Sequence, residues 1–448
     1  MRYDVVIAGG GFAGAYCARA LGNALGRGEG ERRVALIAES NVLTFQPMLA
    51  EVAGSSLAPM DVVNPLRQFC RRVDVLQGAI ERVNWERREL VFDGGRFTRN
   101  HTVNFTHLVL ALGSVTNLGQ VAGLDEHGWP MKSVGDALRL RSVVISRLEE
   151  ASLIRDKEAR AALLTFVVVG GGYTGAETAG QLLDFVHQAR RLYDNLKHAK
   201  MRMVLVHSQD HLLPNIAPSL GAYAQKVLKR RGVEVRLKTV VSRVSASHVF
   251  FEDGSSLEAN TVITTIGAAP NPVILDVCRQ LGLDAPQGRI RVDPTMRVPG
   301  QENLWAIGDC ASVPWNDRGQ EKTSPATAQF AVRQGKQLAG NLLRVLRQEK
   351  PRPFRYRYLG QLAVIGEHEA VAEIMGLHFR GFIAWWLWRT IYLVKLPGVR
   401  RRLRVMIDWT FDLIFPRDIS ILVPHAEAMR AHPLNTPFPR GGRKAPPP

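Results

Sequence analysis

Val5-Val6-Ile7-Ala8-Gly9-Gly10-Gly11-Phe12-Ala13-Gly14, at the start of a 448-residue chain, decides the fold. A short apolar run reads as a buried strand, G-x-G-x-x-G follows it, and Ala15, Ala18 and Leu21 continue at helical spacing. In such a loop Gly9 allows the tight turn, Gly11 lets a pyrophosphate approach the backbone, and Gly14 lets helix and strand pack closely. The helix start adds free N–H groups and the positive end of its dipole. One such loop is weak, because glycine-rich turns are common. A second follows: Phe166-Val167-Val168-Val169 runs into Gly170-Gly171-Gly172-Tyr173-Thr174-Gly175-Ala176-Glu177, with Ala179, Leu182, Leu183 and Val186 on the helix behind it.

Working outward, each loop is trailed by the same sequence of signals. Asp93-Gly94-Gly95 and Asp253-Gly254-Ser255 mark hairpins. After each comes an apolar strand closed by glycine, Leu108 to Leu112 then Gly113, and Thr261 to Ile266 then Gly267, at nearly equal distances from Gly9 and Gly170. The repetition predicts an α/β fold with two Rossmann-like dinucleotide-binding domains, each a parallel sheet with helices and an antiparallel excursion. A third signal, Leu304-Trp305-Ala306-Ile307-Gly308-Asp309, is a buried strand ending in Gly-Asp. Beyond it, Ser324 as N-cap and Pro325 at the first helical position predict a helix to about Leu346.

Hydrophobic residues make up 46% and charged residues 22%, the balance of a folded chain and not of a disordered one. Lys plus Arg number 58 against 41 Asp plus Glu, a net charge of +17 that favours a polyanion or an anionic membrane surface. Cys17, Cys70, Cys278 and Cys310 lack the spacing of a zinc site or a redox dithiol, so no metal, no disulfide framework and a reducing compartment are expected. The opening strand leaves no room for a secretion signal, and Arg389 and Lys395 interrupt the most apolar stretch, which disfavours a membrane-spanning helix.

Together with four further stretches, these loops make the chain resemble the type II NADH dehydrogenases, single-chain NADH:quinone oxidoreductases with a glutathione-reductase-like fold. The stretches are Phe45-Gln46-Pro47-Met48-Leu49 with Glu51-Val52-Ala53-Gly54, Lys132-Ser133 with the helix from Asp136, Ala328-Gln329-Phe330-Ala331 with Gln334-Gly335, and the C-terminal tryptophan-rich region. The resemblance implies non-covalent FAD at the first loop (Gly9, Gly11, Phe12, Ala13, Gly14), with Gln46, Pro47, Ala111, Gly113, Gly308 and Asp309 also on the flavin side. Asp309 would bond the ribityl chain, and the helix at Ala328 and Gln329 would aim its N-terminus at the pyrimidine end of the ring, where reduction places negative charge. NADH would sit at Gly170, Gly172, Thr174, Gly175 and Gly267, stack on the flavin and give it a hydride. A membrane quinone would then take two electrons and two protons. Gln329 and Gln334 would orient the quinone carbonyl, since an amide both donates and accepts hydrogen bonds. Glu177, read as a first-turn acid, either complements the helix dipole or handles a proton between nicotinamide and flavin.

Two positions depart from the family pattern. Val34-Ala35-Leu36-Ile37-Ala38 ends in alanine, so the acid that holds the adenosine ribose in the first domain falls to Glu39, one place later. In the second domain Val204-Leu205-Val206 leads to His207, where the family commonly has glutamate. An acid there repels the 2′-phosphate of NADPH; its loss predicts that NADH is preferred and NADPH tolerated.

At the C-terminus four of the eight tryptophans fall between Trp385 and Trp409. Tryptophan favours the lipid headgroup zone, and Lys395, Arg400, Arg401, Arg402 and Arg404 would face anionic lipid, each adding about 1 kcal/mol. An amphipathic, membrane-associating segment lying in the interface plane is expected, with the enzyme peripheral on the cytoplasmic face of the cell membrane. The competing reading is a buried core or dimer helix with a basic flank. No nucleic-acid motif accompanies the arginines, so lipid and quinone are the expected partners, and analogy adds a homodimer.

The organisation expected is 1–115 and 276–350 for the FAD domain, 116–160 for a linker helix, 161–275 for the NAD(P)H domain, 351–423 for C-terminal strands and surface helices, and a disordered tail at 424–448. Sulfide:quinone oxidoreductase and ferredoxin-type reductases share the fold, as would an NADH-sensing flavoprotein with little turnover. The first needs cysteines poised at the flavin, which this spacing does not provide.

Overall fold

The computed structural model describes residues 1–25, 33–96, 98–317 and 319–423, apart from the side chains of 317 and 321; the tail expected to be disordered lies outside them. The chain divides into two units. The first comprises residues 1–44, 63–116 and 268–358, and the second residues 45–62, 117–267 and the chain from 359 onward.

In the first unit the opening apolar run forms the strand Arg2–Ala8 at the centre of the main sheet. Val34–Ala38 pairs parallel on one side and His101–Leu110 on the other, with Asp74–Gln77 beyond Val34–Ala38. The ten-residue strand His101–Leu110 serves two neighbours along its second edge. Its early residues take Glu89–Asp93 antiparallel and its late residues take Leu304–Ala306 parallel, so the hairpin and Gly-Asp signals attach to one strand. Val5, Ile7, Leu36, Ile37, Leu108 and Val109 are fully buried, each contributing about 1.5–3 kcal/mol, as expected of parallel strands covered on both faces.

The helix Phe12–Leu25 follows the first loop, and Ala328–Leu346 crosses it. Gly335 makes that crossing possible, because a Cβ there would lie 2.3 Å from Ala13 O. This late helix begins at Ala328, with Thr327 as N-cap, and not at Ser324-Pro325 as expected. Ser324 is held elsewhere: its N–H donates to Val313 O and its hydroxyl accepts from Gln334 Nε2 at 2.8 Å, which pulls Ser324 to Thr327 out of the helix.

The second unit repeats the plan with a five-stranded parallel sheet in the order Gly128–Pro130, Thr261–Thr264, Thr165–Val169, Arg202–Val206, Val233–Arg236. Its excursion is the antiparallel set Val241–Val244, His248–Phe251 and Ser256–Glu258. The helix Val134–Leu153 starts at a capping box in which Ser133 and Asp136 bond each other's backbone N–H. Where C-terminal strands were expected within 351–423, an antiparallel meander of Gly360–Gly366, Glu369–Ile374 and Leu377–Arg380 stands.

Two C-terminal helices follow, Gly381–Lys395 and Val399–Phe411. Their tryptophans correct the headgroup expectation: Trp385, Trp388 and Trp409 are buried and Trp386 alone of the four is exposed. Phe382, Ile383, Val394, Leu403, Met406, Ile407 and Phe411 form the outward apolar face instead. The cations also divide. Lys395, Arg400 and Arg404 are exposed, while Arg402 turns back to donate to Val394 O and Leu396 O, satisfying the carbonyls that end the first helix. Arg401 is half-buried and faces Asp61. Among the described residues no helix is long and apolar enough to cross a membrane.

Candidate functional site

In the first unit the strand end and helix start bring the loop glycines against one another. Gly9 adopts φ +114°, and a Cβ on it would lie 2.2 Å from Ala111 O; one on Gly14 would lie 1.9 Å from Gly9 O. Gly11 is exposed, and a Cβ there would meet nothing within 4 Å. Two glycines are therefore demanded by the protein's own packing, while the third leaves open space at the helix N-terminus, the shape a pyrophosphate requires. Phe12 and Ala13 are buried on the helix, and Ala111 N–H donates to Ala8 O at 2.8 Å, fastening the strand that ends near Gly113. Glu39 stands exposed one place past Val34–Ala38, at the same end of the sheet.

The Gly-Asp turn is fixed from the late helix. Gln334 is buried, its Oε1 accepts the Gly308 N–H at 2.7 Å, and its Nε2 donates to Ser324 Oγ. Both ends of this amide are engaged inside the protein, so the geometry gives Gln334 the work of positioning Asp309. Asp309 is half-buried and faces the Arg289 guanidinium. Gln329 lies in the first turn of the late helix, where its Oε1 accepts the Tyr356 hydroxyl at 2.6 Å. Tyr356 packs edge-on against Phe330, and Trp315 Nε1–H donates to Tyr356 O at 2.6 Å. These residues fit FAD: an open helix N-terminus for phosphates, an acid after a tight turn for a polyol, and a helix start next to Ala328 for an anionic ring edge.

The second unit reproduces the loop. Gly170 adopts φ +112°, a Cβ on Gly175 would lie 1.8 Å from Gly170 O, and one on Gly172 would meet nothing within 4 Å. Thr174 is exposed in the first turn of the helix Tyr173–Ala189. Gly267 closes the strand side, its O accepting the Asn117 N–H at 2.7 Å. His207 follows Arg202–Val206, and its Nδ1 accepts the Gly171 N–H at 3.1 Å. That bond fixes the neutral tautomer with the proton on Nε2, and burial with the nearby His211 holds its pKa below the usual imidazole value.

Glu177 corrects the first-turn expectation. It lies in the second turn and is buried, with Oε1 accepting the Val364 N–H at 3.3 Å. Desolvation pushes its carboxyl up to about 8, aided by Glu51, and opposed by the Val364 N–H and Trp388. Dipole complementation is therefore not its environment; a carboxyl that holds its proton near neutrality is.

Gln46 is exposed and Pro47 half-buried in a short 3₁₀ turn, followed by the helix Leu49–Ala53. All four cysteines are free and buried, and burial pushes Cys70 up to about 12 and Cys310 up to about 11. Neither is a thiolate at neutral pH, which removes the support for sulfide or disulfide chemistry.

The sequence reading gave no role to Tyr356, which fixes Gln329, or to Glu51, Arg389 and Arg417 of the second unit. A signal existed for Glu51, the one acid in the run Leu49-Ala50-Glu51-Val52-Ala53. None existed for Tyr356, whose partner is 27 residues away.

A family model described as pyridine nucleotide-disulphide oxidoreductase matches residues 3–335, and one described as the NDH2 C-terminal domain matches residues 358–418. The type II NADH:quinone oxidoreductase NdhA of Mycobacterium tuberculosis is 30% identical, over 91% of this chain and 86% of that protein. The chain belongs to the type II NADH:quinone oxidoreductases. A second member of this family from the same organism, Ndh, is 28% identical over 95% of this chain and 91% of its own length. Among solved structures, NDH2 from Plasmodium falciparum in complex with NADH has the same fold, with a TM-score of 0.85 and 19% identity over 94% of this chain and all of that one.

Proposed function

We infer that this protein oxidises NADH and reduces a membrane quinone, with FAD held in the first unit and NADH in the second. When bound, FAD supplies the two-electron carrier between the two substrates. The observation that carries this reading is the repeated loop, in which Gly11 and Gly172 each leave open space beside glycines whose Cβ would strike the backbone. Asp309 and Glu39 hold the flavin nucleotide, and Gln334 keeps the Gly308–Asp309 turn in place. Gln329, fixed by Tyr356, presents its amide N–H to the quinone.

The outward apolar face of the C-terminal helices, flanked by Lys395, Arg400 and Arg404, supports peripheral attachment to anionic lipid, on the cytoplasmic face where NADH is available. Self-association into a dimer would use that same face. In the second unit the neutral His207, tied to the loop through Nδ1, stands where an acid would repel a 2′-phosphate, so NADPH is accepted alongside the preferred NADH.

The test is anaerobic. Purified protein should be yellow, bleach on adding NADH, and recover its colour with a short-chain quinone. A colourless folded preparation, or a bleached one that quinone cannot restore, overturns this reading.

A further inference from the structure

Beneath the C-terminal helices the second unit encloses a group of charges. Glu51 is 3% exposed, and its Oε2 accepts the Trp409 Nε1–H at 3.3 Å. The charged groups facing it are Arg389, Asp412 and Arg417. Arg389 lies between two rings, its guanidinium carbon 4.0 Å from the Trp385 centroid and 4.8 Å from that of Trp409, and Glu367 also faces it. Asp412 is held by Arg417 at 2.9 Å, and Arg417 donates further to Gly54 O and Gln181 O. Glu177 is the second acid of the group, facing Glu51 and Trp388.

The surrounding polar atoms are incompletely used. Trp388 is fully buried, with its indole N–H on the Glu177 carboxyl. Gln181 Oε1, one helical turn beyond Glu177 on the same face, finds no hydrogen-bond partner among the described residues, and neither does Arg389 Nε. Such groups in a native interior call for an explanation.

The reaction proposed above balances as NADH + H⁺ + quinone → NAD⁺ + quinol, so each turnover takes one proton from the medium. We propose that Glu51 is a proton-relaying residue for quinone reduction, joined with Glu177 in a buried carboxyl pair under the lipid-facing helices that stores this proton and passes it on through Glu177. This rests on the quinone-reductase reading. Burial pushes Glu51 up to about 7, with Arg389 drawing it back, and Glu177 up to about 8. Two interacting acids with neighbouring values titrate as a pair and hold one proton between them near neutrality. An isolated buried carboxylate would be a cost with no return, whereas a carboxyl that exchanges its proton within the physiological range can serve each turnover.

The test uses Glu51→Gln and Glu51→Asp in the full-length, FAD-loaded protein, mixed rapidly first with NADH and then with a short-chain ubiquinone. Glu51→Gln should bleach with NADH at the wild-type rate but recover with quinone about tenfold or more slowly, and lose the ionisation near 7 from the pH profile of that recovery. Glu51→Asp should restore much of the rate. Recovery by Glu51→Gln at the wild-type rate with an unchanged pH profile overturns the proposal. Should either variant lose its flavin, redox-difference infrared spectra of the wild type decide. A protonated-carboxyl band that changes during quinone turnover and fades as pH rises through 7 to 8 supports the pair, and its absence overturns it. A wild type that bleaches but never recovers with quinone instead refutes the underlying reading.

Discussion

The two glycine loops have nearly the same backbone and different side-chain surroundings. In both, the first glycine is left-handed, the third would strike the first one's carbonyl oxygen at under 2 Å if it bore a Cβ, and the middle one faces open space. At the end of the neighbouring strand they diverge. Past Val34–Ala38 stands the exposed Glu39, whereas past Arg202–Val206 stands His207, tied to the loop by the Gly171 N–H. The repeated backbone fits a dinucleotide in each unit, and the two proposed cradles differ in the residue after the second strand. The helices differ as well: Phe12–Leu25 has no acid, while Tyr173–Ala189 carries the buried Glu177.

One added methyl group in each loop should have the largest effect. Gly14→Ala should give a colourless protein, since the helix must move away from Gly9 O. Gly175→Ala should remain yellow but fail to bleach with NADH. Absorbance before and after NADH reads both results, and exchanged outcomes would mean that the two cradles are assigned the wrong way round.

The next contrast concerns proton affinity, because the second unit carries an acid in its fingerprint helix and the first does not. A buried carboxyl with a raised pKa binds more protons folded than unfolded. Stability is therefore fully present below its ordinary value near 4.5 and falls as pH rises towards about 8 for Glu177. Glu177→Gln should flatten that decline, an effect of up to about 5 kcal/mol across the window, measured by denaturant unfolding at a series of pH values. An equal slope in the variant would show that Glu177 does not carry the shift.

A smaller change sharpens the chemistry of the strand end. His207→Glu should raise the ratio of kcat/KM for NADH over NADPH by about tenfold, roughly 1.4 kcal/mol, with FAD content unchanged. No change in that ratio would place the 2′-position elsewhere. Smallest is Tyr356→Phe, which frees Gln329 Oε1 from its 2.6 Å hydrogen bond; a loss of about 1 kcal/mol should appear as a several-fold higher KM for quinone, with bleaching by NADH unaffected.

The parts visible in the sequence are those governed by local rules. Both loops, the hairpins at Asp93 and Asp253, and the Ser133–Asp136 cap are written in adjacent residues. The late helix was misplaced by three residues because Ser324 and Pro325 satisfy the local rule for a start, while a tertiary hydrogen bond from Gln334 engages that serine. The tryptophans were misread for a related reason. Composition marks an aromatic, basic stretch, yet which ring faces lipid and which faces Arg389 depends on packing against Glu51, in a segment more than 300 residues earlier in the chain. Glu177 shows the same limit, since the helix that carries it was legible, whereas its place in the second turn and its burial were not.

Arg417 joins these themes from the far end of the described chain. Its guanidinium spans Asp412, the carbonyl of Gly54 and that of Gln181, and next to it Ser55 Oγ donates to Asp418 O. Clipping the protein before Gly381, to remove the outward apolar face and obtain a lipid-free, crystallisable form, would remove this buckle as well. The loop after Glu51 and the middle of the helix Tyr173–Ala189 would lose their shared tether, so solubility engineered in that way would come at the expense of turnover.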